Sequence, residues 1–368
     1  MKLTAKVKLK PTKAQAELLK RTLETANAAC NRMSALAWDA QQFGQFQIHK
    51  LSYHCVKAEF DLTAQLIIRC IAKVCDAYKL DKETKRTFKP LGAIPYDSRI
   101  LSWKMDKDEV SIWVLGGRQK IKFVAGDYHK SRLVHQRGES DLCLIDGNFY
   151  LFTTCDIDEP TPKDVEDVLG VDLGVKNIAV DSDGQVHSAK AVNNVRYRHR
   201  KLRTKLQKKQ THAARRKLKR LSGKEHRFAT WVNHNVSKEI VDKAKGTNRG
   251  VALEELGGIG DRVTVRKAQR ATLSSWSFNQ LRLFIEYKAQ RQGVKVFPVD
   301  PRNTSRTCPG CGCIDKANRP TQSKFSCVHC GFSGLADHIA ATNIRSRALV
   351  NVPYIPTAPQ CRDKANVL

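Results

Sequence analysis

Cys308 and Cys311 bracket the turn CPGC, Cys327 and Cys330 bracket CVHC, and fifteen residues separate the two pairs. Two such knuckles let four thiolates converge tetrahedrally on Zn²⁺. Four protein ligands leave no open position for a reacting molecule, so the module reads as structural. Cys313 and His329 lie nearby but complete no paired spacing, and they read as bystanders. The other residues able to do chemistry are acids in apolar surroundings. Asp172 sits in VLGVDLGVKN, Glu254 and Glu255 in VALEEL, and Asp337 in GLADHIAATNI, seven positions past the second cysteine pair. A carboxylate among Val and Leu must be paired or bind a cation. Three or four acids brought to one point from different elements suit a two-metal hydrolysis of a phosphodiester, with Mg²⁺ ions about 3.5 to 4 Å apart. Alternation puts Glu254 and Glu255 on opposite faces of their strand, and periodicity leaves open which face is the active one.

The elements that must position these acids alternate strand and helix. DVLGVDLG reads as a buried strand, NIAVDSDG and QVHSAKAV as a hairpin after it, and a helical region follows from Asn193 to about Lys245. Next come the strand VALEEL, a helix from about Lys267 to Gly293, the strand VKVFPV, the cysteine module and a last helix from about Ala336 to Val350. Three strands, helix, strand, helix, strand, helix is the layout of a ribonuclease-H-like α/β domain. The tail past Val350 has three prolines and no periodicity, and reads as disordered.

The first half has a different grain. Residues 2–10, KLTAKVKLK, alternate as a strand, and Thr12 with Gln15 forms a capping box for a helix carrying Leu19, Leu23, Ala26, Cys30 and Met33. A second helix covers roughly Leu62 to Tyr78. SRILSWKM, EVSIWVL, QKIKFVA, LCLI and NFYLFTT then read as short antiparallel strands, with turn signals at Gly116-Gly117 and Asp146-Gly147. The N-terminal strand has no local partner, so it is expected to join that sheet or small barrel, with the helices as an insertion.

The net charge of +29 demands a polyanion. Nucleic acid fits best, because Lys and Arg gain affinity by displacing condensed counterions from phosphates. The densest stretch, from Asn193 to Ser222, has no acid and carries Arg196, Arg198, Arg200, Lys201, Arg203, Lys205, Lys208, Lys209, Arg215 and Arg216 among its cations. A helix so charged repels itself unless phosphates neutralise it. No apolar run approaches the roughly 18 to 20 residues that span a bilayer. The N-terminal residues lack the apolar core of a secretion signal, so the chain reads as cytoplasmic, with its scattered cysteines reduced.

GVDLGVKNIAV, ALEELGGI, SSWSFNQLRLFIEYKA, the CPGC and CVHC pairs and GLADHIAATNI occur in this order. With KPTKAQAELL and YDSRILSW upstream, the sequence resembles the TnpB proteins of bacterial insertion sequences, relatives of compact type V CRISPR effectors. The resemblance implies an RNA-guided DNA endonuclease with one RuvC-like site made of Asp172, Glu254 and Asp337, using Mg²⁺, with Zn²⁺ in the ribbon. It implies a wedge β-barrel from residues 1–10 and 90–160, a helical recognition domain at 11–89, a RuvC-like nuclease domain at 164–303 and 334–350, and a zinc-ribbon insertion at 304–333. Residues 351–368 form the tail. The implied partners are a guide RNA, one protein per guide, and double-stranded target DNA bearing a short adjacent motif. Two departures stand out. Asp337 is followed by His338, Ile339 and Ala340 where the family commonly has x-Asn-Ala-Ala, so an amide that orients the site is missing. EDL is replaced by Glu254, Glu255 and Leu256. The competing readings are a nuclease-inactive guided repressor, a zinc-ribbon RNA-binding protein without catalysis, and a strand-transferring transposase.

Overall fold

The computed structural model describes residues 1–255 and 278–350. The chain forms two compact units, Met1–Asp158 and Glu159–Leu368.

In the first unit β1 (Lys2–Lys10) buries Ala5, Val7 and Leu9 between outward-facing Thr and Lys, as its alternation requires. It lies in the middle of a seven-stranded sheet, antiparallel to both neighbours, β5 (Gly117–Val124) and β7 (Asn148–Asp156). β4 (Glu109–Val114) and β3 (Leu101–Lys104) extend one side, and β6 (Gln136–Ile145) and β2 (Ile94–Tyr96) the other. Asp146 and Gly147, both at positive φ, make the tight turn from β6 to β7. Between β1 and β2 come α1 (Lys13–Asp39), α2 (Gln45–Glu59) and α3 (Ala64–Leu80). The Thr12–Gln15 capping box opens α1. The apolar stripes of α1 and α3 share one core with the inner face of the sheet. Two helices were not expected. α2 buries only Ile48, Ser52 and Val56, too thin a stripe to announce itself, and α4 (Asp127–Leu133) is two turns long.

The second unit holds a five-stranded sheet in the order β10-β9-β8-β11-β12. β8 (Val168–Asp172), β9 (Asn177–Asp181) and β10 (Val186–Ser188) run antiparallel in succession, while β11 (Gly250–Glu254) and β12 (Val296–Val299) run parallel to β8. Helices cover both faces. On one face Leu169, Val171, Val251 and Leu253 pack against α6 (His212–Gly246) and α7 (Phe278–Gln292). On the other, Val168 and Ala252 pack against Ile344 and Ala348 of α8 (Ala336–Val350). Burial on both faces explains why β8 and β11 read as continuous apolar runs. The basic region is two helices rather than one: α5 (Lys190–Lys209) ends at Gln210 in the left-handed conformation, and the Thr211 side chain caps α6. The start expected for α7 and the tail after Val350 lie outside the described residues. Among the described residues, no helix is long and apolar enough to cross a membrane.

Candidate active site and metal centre

Alternation along the two central strands decides which acids meet. Val168, Gly170 and Asp172 face α8, and so do Ala252 and Glu254, because Val168 and Ala252 belong to the α8-side core. Leu253 pairs with Val171, so Asp172 and Glu254 stand side by side at the C-terminal ends of adjacent parallel strands. That is where the strand order reverses, the usual location of a ligand crevice in an α/β sheet. Glu255 points the other way and lies 4.0 Å from Arg282 of α7. Glu254, and not Glu255, thus shares the α8-side face with Asp172.

The third acid arrives through a backbone contact. A Cβ placed on Gly170 would sit 2.2 Å from the carbonyl oxygen of Ala341 and 2.6 Å from the Arg345 nitrogen. Only glycine lets α8 lie this close against β8. The contact sets the first turn of α8, and with it Asp337, beside the strand end. Asn177 at the start of β9 donates from Nδ2 to Asp337 Oδ2 at 2.9 Å. Arg319 lies 3.4 Å from Asp337 Oδ1. Thr304 donates its hydroxyl to Glu254 Oε1 and is itself held by Asn343 of α8, whose Nδ2 donates to the Thr304 and Thr307 carbonyls.

Electrostatics bear out the crowding. Asp172 is pushed up to about 8, first by exclusion from water and then by the charges of Glu254 and Asp337, with Arg319 opposing. Glu254 is also raised by burial, against the pull of the Thr304 hydroxyl. Asn177, Thr304 and Arg319 were not anticipated. Asn177 lies in the quoted strand motif and Arg319 between the cysteine pairs, but neither residue type is unusual there.

An amide does reach Asp337, but from a different element, as the Asn177 side chain. Ile339, at the departure, is 4% exposed and packs with Phe325 and Cys327 of the cysteine module, so this position joins helix to ribbon here.

The cysteine module folds around a small hairpin, β13 (Lys324–Ser326) with β14 (Ser333–Leu335). The sulfurs of Cys308, Cys311, Cys327 and Cys330 all lie within 4.8 Å of one another and could hold a metal ion. Cys308 and Cys330 are 3.6 Å apart, as are Cys311 and Cys327. Cys313 and His329 stay outside that set. The fully buried Asn318 ties the knuckles together, donating to the Arg306 and Cys313 carbonyls and accepting from the Val328 N–H. Backbone N–H groups of Cys330 and then His329 outweigh burial to pull the Cys327 thiol down to about 6. Cys311 moves to about 12: the Cys313 backbone N–H favours its thiolate, but desolvation and the neighbouring sulfurs prevail. Four sulfurs gathered this closely suit a tetrahedrally bound cation.

Of the basic residues, Arg198, Arg200, Lys201, Lys205, Lys208, Lys209, Arg215 and Arg216 are exposed on α5 and the start of α6. Arg203 is committed to Glu225 at 2.8 Å. Arg196 is half-buried.

Residues 152–256 match the family model described as a probable transposase, OrfB of IS605, and residues 278–344 match the TNB domain of Cas12f1-like proteins. A TnpB-like protein of Methanocaldococcus jannaschii is 33% identical over 196 residues, which cover 50% of this chain and 69% of that protein. The CRISPR-associated endodeoxyribonuclease Cas12f1 of Sulfoacidibacillus thermotolerans is 36% identical over 138 residues, 38% of this chain and 31% of that one. The putative RNA-guided DNA endonuclease InsQ of Escherichia coli K12 is 27% identical over 217 residues, 54% of this chain and 53% of InsQ. This chain therefore spans about two thirds of the archaeal TnpB-like protein and a smaller share of the other two. A cryo-EM structure of a Cas12f1–sgRNA–target DNA complex shares the fold, with a TM-score of 0.60 at 17% identity over 91% of this chain and 83% of that one. Two family models in the expected order, and a relative matched over most of its length, place the chain in the TnpB family.

Proposed function

We propose that this chain is an RNA-guided DNA endonuclease that binds a guide RNA, recognises a short motif beside its target and cleaves double-stranded DNA at one RuvC-like site. The observation that carries the reading is the convergence of Asp172, Glu254 and Asp337 on one side of one sheet end. Each acid comes from a different element; burial and then the charges of Glu254 and Asp337 raise Asp172, and burial raises Glu254. Among the described residues only the four cysteines bring ligand atoms within 4.8 Å of one another, and divalent cations bound among the acids would draw their carboxylates together and relieve the repulsion on Asp172. Mg²⁺ bound there would polarise the scissile phosphodiester and activate water. Asn177 would fix the rotation of the Asp337 carboxylate and Thr304 that of Glu254, so both present a constant face to the ions. The strand order β10-β9-β8-β11-β12, with helices on both faces, is that of a ribonuclease-H-like domain and supports the RuvC assignment.

The remaining assignments follow from family membership and charge. The four-cysteine set would hold structural Zn²⁺. The exposed cations of α5 and early α6 would follow the backbone of a guide–target heteroduplex. Residues 1–10 and 90–160 would act as the wedge and 11–89 as the recognition domain, with one protein per guide RNA, working in the cytoplasm.

The test is to co-express the chain with RNA from its own genomic flank and incubate the purified complex, in Mg²⁺, with plasmids carrying a matched target beside randomised sequence. Guide-dependent cuts that disappear with EDTA and with Asp337→Ala are expected. Matched DNA that is bound and never cut would replace this reading with that of a guided repressor.

A further inference from the structure

One face of α6 carries a stripe that neither the acid site nor the cysteine module uses. Arg220, Lys224, Arg227, Trp231, His234 and Lys238 follow one another at intervals of four, three, four, three and four, and all six are exposed. At 1.5 Å per residue the stripe is about 27 Å long. It contains no acid. The acids of α6 are engaged elsewhere, Glu225 with Arg203, Glu239 with His187 and Asp242 with Gln292.

The two aromatic positions are built alike. Trp231, 60% exposed, stacks on Phe228 at 6.1 Å and 24°, and Phe228 is packed against the core of the unit. One turn on, His234 stacks on Phe284 of α7 at 3.9 Å and 15°. Lys288, also of α7, donates to the Ser237 hydroxyl at 2.6 Å and tethers the helices at this point. Each outer ring thus lies nearly parallel to an inner one, His234 in close contact and also meeting the Tyr287 hydroxyl at 3.5 Å, Trp231 offset and largely exposed. A broad indole offered this way, in a row of cations with no acid, suits a nucleobase above a phosphate chain better than an apolar protein partner.

We infer that Trp231, with His234 beside it, is a stacking platform for unpaired bases of a single-stranded nucleic acid whose phosphates run along Arg220, Lys224, Arg227 and Lys238. The inference rests on the proposed function only for the class of ligand, and it requires no cleavage.

The test uses the full chain without Mg²⁺ and measures anisotropy of labelled single strands of about ten nucleotides, oligouridine in one arm and oligothymidine in the other, against a blunt duplex. Trp231→Ala is expected to weaken single-strand binding by about five- to a hundredfold and to leave duplex binding unchanged, while Trp231→Phe keeps most of the affinity. A photoactivated bromouracil strand should crosslink at Trp231, and the stronger arm identifies the occupant as RNA or as DNA. Single-strand binding indifferent to both substitutions overturns the platform, as does a loss shared equally with duplex. A change in solution mass with Trp231→Ala would overturn it too, in favour of a second copy of the chain. If the unsubstituted chain binds neither strands nor duplex, the nucleic-acid reading itself fails, a result separable from indifference at Trp231.

Discussion

The second unit gathers two sets of would-be metal ligands by opposite means. The four sulfurs come from one stretch of 23 residues, Cys308 to Cys330, and already lie within 4.8 Å of one another. Short knuckles and the Asn318 clip are enough to gather them. The three carboxylates come from positions as far apart as 172 and 337, and they repel one another in a site that excludes water. They are held by the sheet, by the Gly170 contact and by hydrogen bonds from Asn177 and Thr304. The cysteine cluster is a place where local folding is completed. The acid cluster is one where a finished fold crowds acids whose ionisation it disfavours.

That contrast can be broken most sharply by Asp172→Ala. In the guided plasmid assay it should lower cleavage by more than the roughly 10- to 100-fold typical of removing an outer-shell partner. Target retention in a gel shift should survive. Cys308→Ser should do the reverse of a purely chemical lesion: the zinc proposed for the four sulfurs should be absent by metal analysis, and the melting temperature should fall. Cys313→Ser should leave zinc content as it was. Asn177→Ala, with all acids intact, should cost about 10- to 100-fold in kcat with little change in DNA affinity, and should raise the Mg²⁺ concentration needed for half-maximal rate.

The smallest effect is the most discriminating. Asp172 is raised from the ordinary carboxylate range to about 8, so the protonated form is favoured in the folded chain. Its contribution to stability is complete at acid pH and is lost as pH rises through about 8. Asp172→Asn, which mimics the protonated acid, should therefore raise the melting temperature in Mg²⁺-free buffer by on the order of 5 °C at pH 8 and by less at pH 5. Equal melting of the two forms at pH 8 would mean that the acids are not in conflict.

The two clusters also differed in how far they could be read from sequence. The spacing of the four cysteines is the geometry of the site written out in order, so the set was legible at once. Asp172, Glu254 and Asp337 were legible as acids in apolar strands and at a helix start, but their adjacency depends on β11 lying parallel beside β8, which no local pattern specifies. Periodicity alone did not separate Glu254 from Glu255; the resemblance pointed to Glu254, and the covering helices put it on the face of Asp172. Asn177 and Thr304 were not legible at all, because an amide or hydroxyl in a turn has many commoner uses. In the first unit the alternation of β1 was readable, and its membership of the later sheet followed from its want of a local partner. α2 was missed because its buried stripe is thin.

The central place of β1 has a consequence for how the first unit is made. Lys8 meets Val124 on one side and Tyr150 on the other, so the middle strand waits for more than a hundred residues of chain before either edge is covered. The helices that intervene can form from neighbouring residues in that interval, and they share the core that β1 later completes. Until β5 and β7 are synthesised, a nine-residue strand with alternating Ala, Val and Leu has both of its hydrogen-bonding edges bare. The lysines that punctuate it are the residue type that blunts an unpaired strand edge against pairing with another chain.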